Sequence, residues 1–182
     1  MERRFTKVVG VEKQNPDGSN RQRILKRCRA GEELSLVRDP HNEYDENAIK
    51  VCREDGQQLG FIGRDIAWDF ATGLDQGLCK IKAKIADLTG GGFLSGKSRG
   101  CNIEIFLELI PQEEQTEPIC PYCGFRLEKA PGRKKKCPSC KKDIFVRGNP
   151  NTGQKTLVRE DKVAEIERKY SALRSLVYWS GQ

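Results

Sequence analysis

Residues 38–51 read Arg-Asp-Pro-His-Asn-Glu-Tyr-Asp-Glu-Asn-Ala-Ile-Lys-Val, and this stretch decides how the first part of the chain folds. Before it, Leu34 and Leu36 alternate with polar residues, and its own end, residues 48–51, is largely apolar. Pro40 lies in the polar segment between them, where a turn is expected. The pattern therefore predicts two strands that hold a loop between them.

The predicted loop carries an aromatic residue, Tyr44, beside an acid, Asp45. This pair is suited to stack against a flat ring and to accept a hydrogen bond from a hydroxyl group. A second interpretation is that Asp39, Asp45 and Asn47 only hold the backbone of the turn, as such residues commonly do. The residues themselves leave both interpretations open.

The loop belongs to a longer motif, with Val-Val-Gly-Val at residues 8–11 before it and Leu-Gly-Phe-Ile at residues 59–62 after it. This combination resembles the HIRAN domain, which is found at the N-terminus of helicase-like transcription factors and as a stand-alone bacterial domain. The resemblance covers residues 5–110. It implies a small OB-like β-barrel that binds nucleic acid, DNA more than RNA, and that captures the 3′ end of a single strand in helicase-linked members.

Tyr44 and Asp45 match the end-binding loop of that family, so the resemblance implies a binding role for both. The chain departs from the helicase-linked pattern at Lys13 and Gln14, which stand where those members have aromatic residues. Phe61 likewise replaces a histidine. These departures concern the capture of 3′ ends rather than the fold.

Two cysteine pairs of the form Cys-x-x-Cys are separated by 13 residues, Cys120 with Cys123 and Cys137 with Cys140. Two intervening residues let both sulfurs of a pair turn toward one ion, and four thiolates complete a closed tetrahedral Zn²⁺ site. The spacing predicts a structural zinc ribbon over residues 119–148. So short a segment buries too little surface to fold without its metal.

The residue after each second cysteine, Gly124 or Lys141, is expected to adopt an open backbone angle that directs amides at the sulfurs. Tyr122, Phe125 and Phe145 are expected to pack around the site. The remaining cysteines lack ligand spacing and are interpreted as buried thiols. They are Cys28, Cys52, Cys79 and Cys101.

The chain has a net charge of +7, and residues 119–148 alone carry nine Lys or Arg residues against two acids. This segment is the natural place for a phosphate backbone to bind. The candidate contacts are Arg133, Lys134, Lys135 and Lys136. Two alternatives are that these cations offset the charge of the metal site, and that the ribbon binds a protein.

A second set of candidate nucleic-acid contacts lies in the predicted barrel. Lys80, Lys82 and Lys84 alternate with apolar residues, so they line one face of a strand. That row either follows a nucleic-acid backbone or keeps the surface soluble. Lys97 and Arg99, on a glycine-rich loop, are further candidates for phosphate contact.

Residues 91–98, Gly-Gly-Phe-Leu-Ser-Gly-Lys-Ser, satisfy the P-loop pattern letter for letter. Phosphate binding by a P-loop requires that the loop open a helix within a parallel sheet. Here an alternating strand pattern follows instead, at residues 103–109. The segment is interpreted as a hairpin loop without ATP binding.

The remaining helices are predicted from apolar spacing. A short helix is expected to end near Arg29, and a second, over residues 65–74, is expected to place Trp68 and Phe70 in the core. A third is expected from about residue 156 to 179. Its apolar seam is Val163, Ile166, Tyr170, Leu173 and Val177. That seam is able to pack within the chain, to form a weak dimer or to bind a protein partner.

The sequence thus predicts a mainly β protein with an OB-like barrel (1–110), a linker (111–118), a zinc ribbon (119–148) and a C-terminal helical segment (149–182). No apolar run approaches the roughly 18 residues of a membrane span, so a cytoplasmic location without membrane contact is expected.

His41 is the one histidine, and no paired carboxylates or Ser/His/Asp set is evident. The predicted function is a non-enzymatic nucleic-acid-binding adaptor. The alternatives are a protein-interaction module and, remotely, a nucleotide hydrolase.

Overall fold

A computed structural model of the chain describes residues 2–91, 98–111 and 117–180. The chain divides into two compact units, Met1–Ile110 and Pro111–Gln182. The first is built on a closed β-barrel, and the second combines a small sheet with a long helix. The prediction of a mainly β protein with a barrel and a C-terminal helix is confirmed.

Six antiparallel strands close the barrel in the order β1-β4-β3-β2-β5-β6, and β6 pairs back onto β1. The strands are β1 Glu2–Val9, β2 Glu33–Arg38, β3 Ile49–Arg53, β4 Gln58–Ile62, β5 Cys79–Thr89 and β6 Gly100–Leu109. β2 and β3 flank the loop of residues 39–48, as predicted, and this loop therefore projects from one end of two paired strands.

The barrel interior is filled by the side chains that alternation directs inward. Ile103 and Ile105 on β6 are fully inaccessible, as is Val51 on β3, and Ile85 on β5 is nearly so. Burial of each such side chain contributes about 1.5–3 kcal/mol. The alternation predicted for β5 and β6 is thus confirmed, with the β5 lysines on the outer face.

Helix α1, Arg21–Leu25, begins at Asn20, whose side chain accepts a hydrogen bond of 3.0 Å from the Arg23 amide. The helix is shorter than predicted and does not reach Arg29. The chain turns away because Gly31, at φ +84°, donates its amide to Ile85 of β5. Residues 26–32 therefore lead into β2 rather than extending the helix.

Helix α2, Arg64–Asp75, buries Ala67, Phe70 and Ala71, which share one helical face at spacings of three and four. Phe70 is fully buried, as predicted, but Trp68 is 67% exposed, so its placement in the core is wrong. Trp68 is about 100° around the helix from Ala67, which turns its side chain away from that face.

The second unit contains a three-stranded sheet in the order β7-β8-β9. Its strands are β7 Lys135–Lys136, β8 Asp143–Gly148 and β9 Lys155–Val158. A 3₁₀ turn at Glu160–Lys162 leads into helix α3, Val163–Ser180, which contacts β8. The predicted helical start near residue 156 is wrong, because residues 155–158 pair with β8 across a turn containing Gly153 at φ +73°.

Two predicted features fall partly on segments that the structure does not describe. Residues 112–116 of the predicted linker and residues 92–97 of the P-loop pattern, including Lys97, lie outside the described residues. The strands around the second segment pair from Cys79 with Leu109 to Thr89 with Gly100. The residues after the pattern therefore form β6 and not the helix that a P-loop requires.

None of the helices among the described residues combines the length and apolar character that crossing a membrane requires.

Candidate metal centre and nucleic-acid interface

The loop between β2 and β3 lies beside a groove of about 800 Å³. We call it the loop groove. Its walls come from the segment between β1 and α1, from the loop itself and from β4. The residues that matter for its chemistry are Lys13, Arg21, His41, Tyr44, Lys50 and Phe61. The positions at which the chain departs from the helicase-linked pattern therefore line the same groove as the loop tyrosine.

Arg38 fixes the shape of the loop. Its guanidinium donates to the carbonyl oxygens of Ala48 (2.7 Å) and Glu46 (3.0 Å) at the far end of the loop. It also bonds both carboxylate oxygens of Asp75 on α2, each at 2.9 Å. One bidentate arginine thus ties the loop backbone to a helix.

Tyr44 is 84% exposed, and its amide donates to Asn42 Oδ1 at 3.0 Å. Its backbone carbonyl accepts a hydrogen bond of 3.1 Å from Arg64. The backbone is held while the ring remains free, and an exposed ring on an anchored loop is able to stack against a nucleobase.

Asp45 has a different environment. One carboxylate oxygen accepts the Asn47 amide at 2.9 Å, and the other accepts Arg64 Nε at 3.3 Å. The Asp45 carboxylate therefore holds the backbone of the turn, which is the structural role considered for it from the sequence. Its binding of a terminal hydroxyl stays a prediction.

Arg21 lies at the floor of the loop groove and is 5% exposed. Its Nε donates to Asn15 Oδ1 at 2.6 Å, its Nη1 donates to the Gly10 carbonyl at 2.9 Å, and its guanidinium lies 5.2 Å from the centre of the Phe61 ring. Burial lowers the pKa of Arg21. Sequence reasoning did not select this residue, because its burial depends on Asn15 and Gly10, which lie outside its helix.

The candidate cations of the barrel have different surroundings. Lys80 and Lys82 are exposed on β5, whereas Lys84 pairs with Glu104 at 3.0 Å and lies 5.1 Å from the centre of the Phe106 ring. The backbone of Arg99 is held by Gln22, while its Nε is buried without a hydrogen-bond acceptor among the described residues. None of these four cations is among the described residues that line the loop groove.

The cysteine constellation forms a candidate metal site in the second unit. The Sγ atoms of Cys120, Cys123, Cys137 and Cys140 all lie within 4.8 Å of one another. The pairs Cys120–Cys140 and Cys123–Cys137 are each 3.8 Å apart. A tetrahedron with metal–sulfur bonds of about 2.3 Å has edges of about 3.8 Å, so the four positions fit one tetrahedral ion.

The two cysteine turns repeat one backbone pattern. The amide of Gly124 donates to the Cys120 carbonyl, and the amide of Lys141 donates to the Cys137 carbonyl, each at 3.0 Å. Gly124 and Lys141 have φ of +74° and +61°, which confirms the open backbone angle predicted at both positions. Lys141 is the one non-glycine residue with positive φ within the described segments.

Backbone amides favour the thiolate form that a metal requires. A hydrogen bond from the Phe125 amide lowers the pKa of the Cys123 thiol. Desolvation opposes ionisation of Cys137, but the amides of Cys140 and Ser139 outweigh it and lower its pKa to about 7. These amides are the protein's own contribution to the ligand set.

Leu127, Ile144 and Leu157 form the small core beneath the cysteines, and Tyr122 packs against it as predicted. The prediction that Phe125 packs around the site is wrong, because its side chain is 44% exposed. Its backbone carbonyl accepts the Cys120 amide, while Leu127 supplies the buried side chain of this segment.

The basic run beside the site is largely accessible. Arg133, Lys135 and Lys136 are exposed, the two lysines as strand β7 at the edge of the sheet. Lys134 instead pairs with Asp143 at 3.0 Å and lies 4.5 Å from the centre of the Phe145 ring. The run therefore offers three accessible cations and one that already has protein partners.

The fold and the two candidate sites define a β-barrel with an exposed loop between β2 and β3, joined to a unit with four cysteines placed to hold a metal. Residues 5–109 match the HIRAN domain, and the chain belongs to the HIRAN domain family.

The human helicase-like transcription factor is 39% identical over 103 residues, which are 55% of this chain and 9% of that protein. The mouse protein is 28% identical over 152 residues, 75% of this chain and 15% of that protein. The chain thus corresponds to only a small part of these relatives.

Among solved structures, the HIRAN domain of human HLTF has a TM-score of 0.45 and 24% identity, covering 58% of this chain and 74% of that one. A Lactobacillus plantarum protein has a TM-score of 0.42 and 24% identity, covering 58% and 92%. The HLTF HIRAN domain has also been solved in a DNA-bound conformation, with a TM-score of 0.38 and 23% identity over 58% of this chain and 74% of that one.

Proposed function

We propose that this chain is a zinc-containing adaptor that binds single-stranded DNA or DNA ends and has no catalytic activity of its own. The observation that carries the proposal is an exposed Tyr44 beside a groove whose floor holds the buried cation Arg21. The HIRAN domain of HLTF has a DNA-bound structure, and for this chain DNA is the nucleic acid proposed.

The chemistry of the loop groove suits a single strand. Tyr44 supplies a stacking surface that accepts any base, and Lys13, Arg21 and Lys50 supply cations within the same groove. Lys50 is already paired with Asp39 at 3.0 Å, so Lys13 and Arg21 are the charges available to an anion. Duplex DNA does not present unstacked bases, which favours single strands at this groove.

Zinc is the metal proposed for the four-cysteine site. Four thiolates in a tetrahedron favour Zn²⁺, and because every position is filled by sulfur, the ion would be structural. Cys120, Cys123, Cys137 and Cys140 would hold it and give the second unit the stability that its small core lacks. The ion would supply no catalytic chemistry there, since no coordination position is left for water.

The ribbon is proposed to add contacts to phosphates. Replacing Lys134, Lys135 and Lys136 by glutamine should weaken binding to all DNA sequences, and to single strands and duplexes alike. Each lost phosphate contact should reduce the slope of log affinity against log salt by about one unit. Titrations of single-stranded and double-stranded oligonucleotides at several salt concentrations measure this.

The control replaces an equal number of cations on α3, Arg168, Lys169 and Arg174, by glutamine. An equal reduction of slope in the control would show that net charge alone is responsible. If the unmodified protein shows no salt-dependent affinity for any oligonucleotide at low ionic strength, the nucleic-acid proposal fails. The protein-interaction module then becomes the leading function.

We also propose that the P-loop pattern binds no nucleotide. Lys97→Ala should leave ATP affinity and hydrolysis at the background level of the parent protein, because β6 rather than a helix follows the pattern. Equilibrium binding of labelled Mg-ATP and phosphate release measure this. Saturable ATP binding that disappears in Lys97→Ala would contradict it.

A further inference from the structure

Arg21 carries a positive charge that is buried in the first unit. Its hydrogen bonds go to neutral oxygens, those of Asn15 and Gly10, and its third partner is the neutral ring of Phe61. No carboxylate lies within ion-pair distance of it among the described residues. Glu12 acts on it only as a neighbouring charge. A buried cation without a paired anion is costly, which is a reason to look for an anion that binds there.

The geometry leaves one side of the guanidinium available. Nε and Nη1 are used, whereas Nη2 has no hydrogen-bond acceptor among the described residues. On the other side, Gly10, at φ +69°, lets the Arg21 guanidinium lie close to the backbone, because it has no side chain. A Cβ at this position would lie 3.2 Å from Nη1. The backbone thus holds the guanidinium at the floor of the groove with one nitrogen free to donate.

The other charges that line the loop groove are two cations and two acids, so the net positive charge of the groove is that of Arg21. Lys13 is exposed at its edge, whereas Lys50 and Asp39 neutralise each other at 3.0 Å. Glu43 is the remaining acid among the lining residues. The loop acid suited to a terminal hydroxyl, Asp45, is engaged by Arg64 and the Asn47 amide.

We propose that the loop groove recognises a terminal phosphate monoester of a single strand in preference to a terminal hydroxyl. A monoester carries a charge of about −1.5 to −2 at neutral pH, more than the single charge of an internal phosphodiester. Arg21 and Lys13 bind the phosphate, and Tyr44 stacks on the terminal base. This inference rests on the proposed function and specifies the end group for the same groove.

The test compares one short labelled oligonucleotide in three forms, with a 3′ hydroxyl, a 3′ phosphate or a 5′ phosphate, by fluorescence anisotropy with the full chain. A charge-assisted hydrogen bond to a desolvated cation should make one phosphorylated form bind about tenfold or more tightly than the hydroxyl form. The 3′ and 5′ forms show which end the groove accepts. Inorganic phosphate should compete with the preferred form more than with the hydroxyl form.

Two substitutions locate the effect. Lys13→Gln, at an exposed position, should reduce the preference for the phosphate several-fold, with a smaller loss of affinity for the hydroxyl-ended strand, which carries less charge at its end. The control Lys26→Gln, an exposed lysine that follows α1 outside the groove, should preserve the preference. Arg21→Gln should abolish it, and circular dichroism of this variant shows whether the barrel remains folded.

Equal or tighter binding of the hydroxyl form would overturn the phosphate inference while leaving the proposed function intact. So would a loss of preference in Lys26→Gln as large as that in Lys13→Gln. Absence of binding to all three forms would instead overturn the proposed function together with this inference.

Discussion

Replacing Cys123 or Cys137 by serine should release the metal and unfold the second unit while the barrel stays folded. The core of that unit around the site is small, with Leu127, Ile144 and Leu157 as its buried aliphatic residues. Metal binding supplies about 10–16 kcal/mol to zinc-finger peptides, more than the burial of these three side chains contributes. Loss of one ligand should therefore be the largest effect of any single substitution in this chain.

Native mass spectrometry should find one zinc ion per chain in the parent protein and none in either variant. Hydrogen exchange should show lost protection confined to the second unit, because the barrel has its own buried core. A matched control is Cys52→Ala, a buried thiol on β3 that should leave one zinc per chain. A parent protein without tightly bound metal would contradict the prediction, as would a Cys137→Ser variant that retains it.

The features that local sequence determines were predictable. Strict alternation fixed the inward faces of β5 and β6, because a strand places successive side chains on opposite faces whatever it packs against. The cysteine spacing predicted the four-sulfur cluster for a similar reason, since each pair is positioned by its own turn. Gly124 and Lys141 show that even the backbone angles of these turns follow from the pattern.

The features that depend on distant parts of the chain were not predictable. Residues 155–158 are a strand because β8 is available to pair with them, although their own sequence also suits the start of a helix. Arg21 is buried because Asn15 and the Gly10 carbonyl, which precede α1, approach it from outside its helix. One signal was present in the sequence, since glycine at position 10 permits a close approach that other residues would obstruct.

The consequence for the interface is that its anchoring and its binding chemistry come from different sources. Arg38 and Arg64 hold carbonyl oxygens of the loop, and the side chains of Asn42 and Asp45 hold its amides, so the Tyr44 ring takes no part in the anchoring. Tyr44 contributes almost no packing to the fold, since it is 84% exposed. Substitution of Tyr44 should therefore affect binding without affecting stability, which makes it a clean test of the proposed interface.

Tyr44→Ala should weaken binding of single-stranded DNA by about 1–3 kcal/mol, or roughly 5- to 150-fold, because a stacking surface for one base is lost. Duplexes of the same length should bind nearly as before, since their bases remain stacked. Tyr44→Phe, which keeps the ring, should restore most of the affinity. Fluorescence anisotropy on matched single-stranded and double-stranded oligonucleotides measures all three proteins.

The control for this prediction is Tyr178→Ala, which removes another tyrosine that is 70% exposed, on α3 of the second unit. That change should leave single-strand affinity unchanged, because none of the described residues that line the loop groove lies on α3. If Tyr44→Ala lowered single-strand and duplex affinity by the same factor, its ring would not be stacking on a base. The loop would then contribute through its backbone and the neighbouring cations alone, and the preference for single strands would have to arise elsewhere on the barrel.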